Sequence, residues 1–125
     1  MSPPDQPRRI VIVEDDEVII NVLAESLVLE GYEVHEARDG QEGIEIIRQK
    51  RPNLIISDLT MPNTDGFELL RMLQADEQLR SIPVIVHSVM VEANYRERAL
   101  QLGAKVFLNK PSTTKALLEA INSCL

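Results

Sequence analysis

Short apolar runs recur five times along this chain, and each is followed by a stretch whose apolar residues return at helical spacing. That alternation leaves few folds open. The first run, Ile10-Val11-Ile12-Val13, is β-branched and unalternating, as suits a strand covered on both faces. It stops in acid at Glu14-Asp15-Asp16-Glu17. Ile20, Leu23, Ala24 and Leu27 then share one helix face, and Gly31 is the stop signal. Tyr32 to Glu36 alternates weakly and predicts a more exposed strand. Asp39 can cap a helix carrying Ile44 and Ile47 that ends before Pro52.

Leu54 to Ser57 reads as the third strand, ending at Asp58. The turn-rich stretch Met61-Pro62-Asn63-Thr64-Asp65-Gly66 leads to a helix with Phe67, Leu70 and Leu73 inward. Pro83 to His87 is the fourth strand and runs into Ser88; a helix from Glu92 to Leu102 is closed by Gly103. Lys105 to Leu108 makes the fifth strand, followed by Asn109-Lys110-Pro111 and a last helix with Leu118, Ile121 and Leu125 on one stripe.

Five strand and helix alternations imply a parallel sheet with helices on both faces. An eight-fold barrel needs about twice this length. The expected order is 2-1-3-4-5, an α/β, flavodoxin-like (βα)5 doubly wound sandwich. Ligands in such sheets bind at the carboxyl ends of the strands, where the strand order reverses. The expected boundaries are a flexible tail over residues 1–8 and one domain over 9–125.

Composition narrows the function. The balance of 13 Lys+Arg against 20 Asp+Glu, a net charge of −7, opposes a nucleic-acid or anionic-membrane surface, since both need clustered basic residues. With 3% aromatics and no Trp, base-stacking platforms are disfavoured as well. The chain has neither an apolar signal core at its start nor an 18-residue apolar run, so a cytoplasmic, unanchored protein is expected. Its single cysteine, Cys124, reads as a small packing residue.

The residues just past the inner strands are Glu14 and Asp15, Asp58, Ser88 and Lys110. On a parallel sheet they converge on one edge. Clustered carboxylates repel one another unless a cation neutralises them, and oxygen-only ligands favour a hard ion such as Mg²⁺. Acids, a lysine and a hydroxyl around such an ion suit phosphoryl transfer, with the Asp58 carboxylate as nucleophile.

At these positions the chain resembles the receiver domain of bacterial two-component response regulators, from Arg9 onward. Ile-Val-Ile-Val-Glu14-Asp15-Asp16-Glu17 is similar to the family's acidic-pair signature, and Asp58 through Gly66 to its phosphoacceptor segment. His87-Ser88 matches the switch hydroxyl, Phe107 the switchable aromatic, and Lys110-Pro111 the lysine with its cis-prone proline. Asp58, Ser88 and Lys110 follow Asp15, Asp58 and Ser88 by 43, 30 and 22 positions, spacings typical of such domains.

The resemblance implies that Asp58 accepts a phosphoryl group from a sensor histidine kinase or a histidine phosphotransfer protein. Asp15, Asp58 and the backbone carbonyl of Thr60 would hold Mg²⁺, with Glu14 acting through a metal-bound water. Lys110 would pair with Asp58 and later with a phosphoryl oxygen. Ser88 would turn to the phosphoryl group and Phe107 would rotate inward behind it, reshaping the surface of the fourth helix, fifth strand and fifth helix. The expected output is binding, to a downstream effector or in a phosphorylation-linked homodimer. Apart from its own phosphorylation and dephosphorylation, no enzymatic turnover is expected.

Two positions depart from the commonest pattern. Val89 follows Ser88 where Ala or Gly is more usual, and its branched side chain beside the phosphoryl group implies slow autodephosphorylation. Phe107 lacks the hydroxyl of a tyrosine. Elsewhere, Asp16 and Glu17 read as helix N-terminal charges and Asp65 as a turn organiser. His35 and His87, without Cys or His partners at ligand spacing, read as structural.

Three rival functions share parts of this pattern. A haloacid-dehalogenase-type phosphohydrolase needs an acid two residues after its nucleophile, where this chain has Thr60. A flavodoxin-like cofactor carrier needs a phosphate loop after the first strand, where this chain has acid. A scaffold that binds its partner regardless of phosphorylation ranks second to the phospho-accepting reading.

Overall fold

The computed structural model describes residues 7–61 and 65–125. Most of the tail expected over 1–8 and, in the loop before the third helix, Pro62, Asn63 and Thr64 therefore lie outside the described residues. The chain alternates strictly: β1 (Arg9–Val13), α1 (Glu17–Leu29), β2 (Glu33–Ala37), α2 (Gly40–Lys50), β3 (Leu54–Ser57), α3 (Gly66–Ala75), β4 (Val84–Ser88), α4 (Ala93–Gln101), β5 (Val106–Asn109) and α5 (Thr114–Cys124). All pairings are parallel and the order is β2-β1-β3-β4-β5, the flavodoxin-like arrangement expected.

Side chains alternate across the sheet, so each strand feeds two cores. Val11, Val13, Ile55, Val86 and Phe107 meet Ile44 and Ile47 of α2, Leu70 and Leu73 of α3 and Ala99 of α4 on one face. On the other, Ile10, Ile12, Leu54, Ile56 and Ile85 meet Ile20, Leu23 and Leu27 of α1 and Leu117 and Ile121 of α5. The edge strand β2 stays half-buried over Glu33 to Glu36, as its weak alternation predicted.

Helix starts follow local chemistry. Asp16, Asp39, Asp65 and Thr113 each accept an amide hydrogen bond at the N-terminus of the helix that follows, satisfying a donor that the helix leaves open. Gly31 and Gly103 adopt positive φ, 95° and 105°, just past α1 and α4. Asp16 and Asp65 are thus the terminal charge and turn organiser expected.

Three sequence expectations need correction. Ser88 is the last residue of β4 rather than the first beyond it, and β5 lies one residue later than expected because Asn109 pairs with Ser88 in the ladder. On α5 the buried stripe is Leu117, Ala120 and Ile121, with Cys124 packed behind it, whereas Leu118 is half-buried and Leu125 is 37% exposed. The 118, 121, 125 spacing is helical too, but the sheet takes the neighbouring stripe.

Candidate functional site

The backbone carries the acids to one edge. The Glu14 amide donates to the Ala37 carbonyl at 2.9 Å and the Asp58 amide to the Val13 carbonyl at 3.0 Å, so the sheet's hydrogen bonding continues one residue past β1 and β3. Across β4, the Lys110 amide donates to the Ser88 carbonyl at 2.8 Å. Glu14, Asp58, Ser88 and Lys110, each at or one residue past the end of β1, β3, β4 or β5, are thereby fixed at the carboxyl end of the sheet.

Glu14, Asp15 and Asp58 each offer a carboxylate oxygen within 4.8 Å of the others. Lys110 Nζ donates to Glu14 Oε1 and, at 3.0 Å, to Asp58 Oδ2. The side chains of Lys110, Glu14 and Asp58 are only 8%, 3% and 8% exposed, so these ion pairs are hardly screened by water. Asp15 is exposed and closes the cluster on the solvent side. Sequence reasoning paired Lys110 with Asp58 alone. Its sharing with Glu14 depends on how far a lysine at the end of β5 reaches across β3 to β1, which no motif records.

The remaining contacts fix each acid. Glu14 Oε2 accepts from the Asp16 amide at 3.1 Å, and Asp58 Oδ1 accepts from the Leu59 amide at 2.7 Å. The Thr60 amide stands 3.5 Å from the same oxygen, too far to contribute much. Burial pushes the Glu14 carboxyl above its ordinary value, and the negative charge of Asp58 adds to this against the opposing pull of Lys110. Burial alone would lower the Lys110 ammonium, but its hydrogen bonds to Glu14 and Asp58 outweigh that and hold it above the usual lysine range. Apart from these shifts, the cluster sets three carboxylates against a single ammonium, an excess of two negative charges.

Ser88 is fully buried at the end of β4, and its Oγ accepts from the Met90 amide at 3.1 Å. Phe107, expected to turn inward on phosphorylation, is already 5% exposed and packed in the core of the α2, α3 and α4 face. An inward rotation therefore does not start from this state. Val89 is 61% exposed beside Ser88.

Two site features escaped the sequence reading. A Cβ at Gly66 would lie 2.3 Å from the Asp58 carbonyl oxygen and 2.6 Å from Leu59 Cα, so only glycine lets α3 start against the Asp58 backbone. Asn109 Nδ2 donates to the Met90 carbonyl at 2.8 Å, tying the end of β5 to the loop after Ser88. The turn signal at Asp65-Gly66 was visible, but what the glycine abuts was not.

Comparison with known proteins agrees with this architecture. The family model of the response regulator receiver domain matches residues 10–122, and the chain belongs to that family. It is 33% identical over 119 residues to the polar-differentiation response regulator DivK of Brucella anthropi, covering 95% of this chain and 97% of that protein. A signal receiver domain of a signal transduction histidine kinase from Syntrophus aciditrophicus superposes with a TM-score of 0.87 at 35% identity, covering 94% and 89% of the two chains. The chemotaxis protein CheY4 of Vibrio cholerae superposes with a TM-score of 0.91 at 27% identity, covering 96% and 100%. The chain is thus a receiver domain of two-component signalling. Among the described residues no helix is long and apolar enough to cross a membrane.

Proposed function

We propose that this receiver domain accepts a phosphoryl group on Asp58 from a phosphohistidine of a sensor kinase or histidine phosphotransfer protein. The observation that carries the reading is the Lys110 ammonium held between Glu14 and Asp58, nearly buried, at the carboxyl edge of the sheet. An Asp58 carboxylate oxygen attacks the phosphorus, the phosphorus–nitrogen bond breaks, and its electron pair leaves with the donor imidazole, which takes up a proton. Lys110 offsets charge growing on the phosphoryl oxygens. Ser88 is placed to donate to one of them once its hydroxyl turns from the Met90 amide.

The residues present suit a divalent cation. Oxygen is their only donor atom, and their excess of two negative charges matches an ion such as Mg²⁺. Asp15, Asp58 and the Thr60 backbone carbonyl would hold it, with Glu14 acting through a bound water. When bound, the ion supplies charge neutralisation that lets an anionic phosphoryl group approach three acids.

A groove of about 390 Å³ between α1 and α5, walled by Val18, Val22, Pro111, Thr114 and Leu117, opens beside Lys110. It suits a donor helix bringing its phosphohistidine to Asp58. The output is binding, by an effector or a second copy, rather than turnover, and the protein works in the cytoplasm without contacting nucleic acid or membrane.

Incubation with acetyl phosphate and Mg²⁺, read by intact mass, tests the acceptor. The unaltered chain gains one phosphoryl group and Asp58→Asn gains none; equal gain by both would remove the reading. A second reading, a scaffold indifferent to phosphorylation, is favoured by Phe107, which is already buried on the α2, α3 and α4 face without a phosphoryl group. Partner capture by Asp58→Ala as strong as that by the unaltered chain would support it.

A further inference from the structure

His87 is a buried imidazole with one hydrogen-bond partner among the described residues. It lies in β4, paired with Leu108, directly before Ser88, and is 5% exposed. Its Nε2 stands 3.0 Å from Ser112 Oγ in the loop between β5 and α5. Among the described residues, Nδ1 is buried without a partner. A polar ring in this position has to be offset by what its single contact achieves.

That contact closes a short frame. The Lys110 amide already donates to the Ser88 carbonyl at 2.8 Å, and Asn109 Nδ2 to the Met90 carbonyl at 2.8 Å. The His87–Ser112 bond adds a third tie on the far side of Lys110. The residues that carry the ammonium and the switch hydroxyl are thus bound to one another by the residues next to them. Chain positions 110 to 112 are held from both ends, and the lysine's reach toward Asp58 starts from a fixed backbone.

We infer that His87 is a positioning residue for phosphoryl uptake: as a neutral ring with its proton on Nε2, it donates to Ser112 Oγ and holds the loop from which Lys110 reaches Asp58. The tautomer follows from the orphan atom. A buried unpaired N–H costs more than a buried unpaired lone pair, so the proton sits on Nε2, where a partner exists. Burial, and after it the positive charge of Lys110, also keeps the ring neutral. The inference rests on Asp58 being the acceptor.

Glutamine can place its amide nitrogen near the Nε2 position of histidine, whereas asparagine reaches only as far as Nδ1. With acetyl phosphate and Mg²⁺, and rates taken per folded molecule, His87→Gln is expected to stay within about twofold of the unaltered chain. His87→Asn and Ser112→Ala are expected to slow phosphoryl uptake on the order of tenfold, as a catalytic group displaced by a fraction of an ångström does. The double variant His87→Asn/Ser112→Ala should be no slower than either single one, because both remove the same bond.

A ring serving only as core filler would give a different result: lower unfolding midpoints for both His87 variants, uptake rates unchanged and no rescue by glutamine. That outcome overturns the inference, as does imidazole nitrogen NMR placing the proton on Nδ1. Normal uptake by the unaltered chain and by Ser112→Ala would leave Asp58 as acceptor and remove His87 from its positioning. No uptake by the unaltered chain would remove both.

Discussion

Lys110 and Glu14 stand 96 positions apart in the chain and form an ion pair that is almost wholly buried at the carboxyl edge of the sheet. The same ammonium holds Asp58 Oδ2 at 3.0 Å. Removing one partner of such a group leaves uncompensated charge in a poorly solvated place.

Lys110→Met should therefore act in two directions. With the ammonium gone the three acids attract a divalent cation more strongly, so Mg²⁺ affinity, followed by titration of backbone amide shifts, is expected to rise. Phosphoryl uptake from acetyl phosphate is expected to fall by about two orders of magnitude, the scale of losing one group that stabilises transition-state charge. Weaker Mg²⁺ binding together with unchanged uptake would contradict both roles.

Gly66→Ala should disturb fold and site together. The added methyl group meets the Asp58 carbonyl oxygen at 2.3 Å, and that neighbour is backbone, which cannot swing aside. Denaturant unfolding should show a loss of about 1–3 kcal/mol, the usual scale of overpacking. Uptake per folded molecule should drop as well, because the displaced backbone carries the acceptor.

His87 gives stability a defined dependence on pH. Burial, then the charge of Lys110, lowers its pKa from 6.5 to about 4 in the fold. Between those values the unfolded chain binds a proton that the folded chain refuses, so stability is full above pH 6.5 and falls as the pH drops toward 4. The loss amounts to about 3 kcal/mol. Glu14, whose pKa is raised above 4.5, works the other way: the fold takes up its proton first and is stabilised as the pH falls through that range. The difference between unfolding free energies of the unaltered chain and His87→Gln isolates the histidine. A difference independent of pH would show that the ring is not held neutral.

Val89→Ala should shorten the lifetime of the phosphorylated protein. Val89 is 61% exposed directly after Ser88, where a branched side chain can screen the phosphoryl group from water. Decay of the phosphorylated mass after donor removal measures this, and an unaltered half-life would assign the slow step elsewhere.

Much of this was legible in the chain itself. β-branched runs such as Ile10 to Val13 and stripes such as Ile20, Leu23 and Leu27 respond to burial, which local patterns report well. The convergence of Glu14, Asp15, Asp58, Ser88 and Lys110 then followed from parallel strands alone, because each is the last residue of a strand or just beyond it. The α5 stripe was misread because residues 117 and 118 are both apolar, and either helical face can satisfy the period.

By itself the sequence determined the alternation of strands and helices and which five residues stand at strand ends, since periodicity and strand ends are properties of neighbouring residues. Only the tertiary structure decided that Lys110 is shared between two acids, that Phe107 already lies inward, that Gly66 abuts Asp58 and that His87 reaches Ser112. Each of these is a distance between elements remote in the chain, set by how side chains of particular lengths fill the space between packed layers, and no local pattern encodes it.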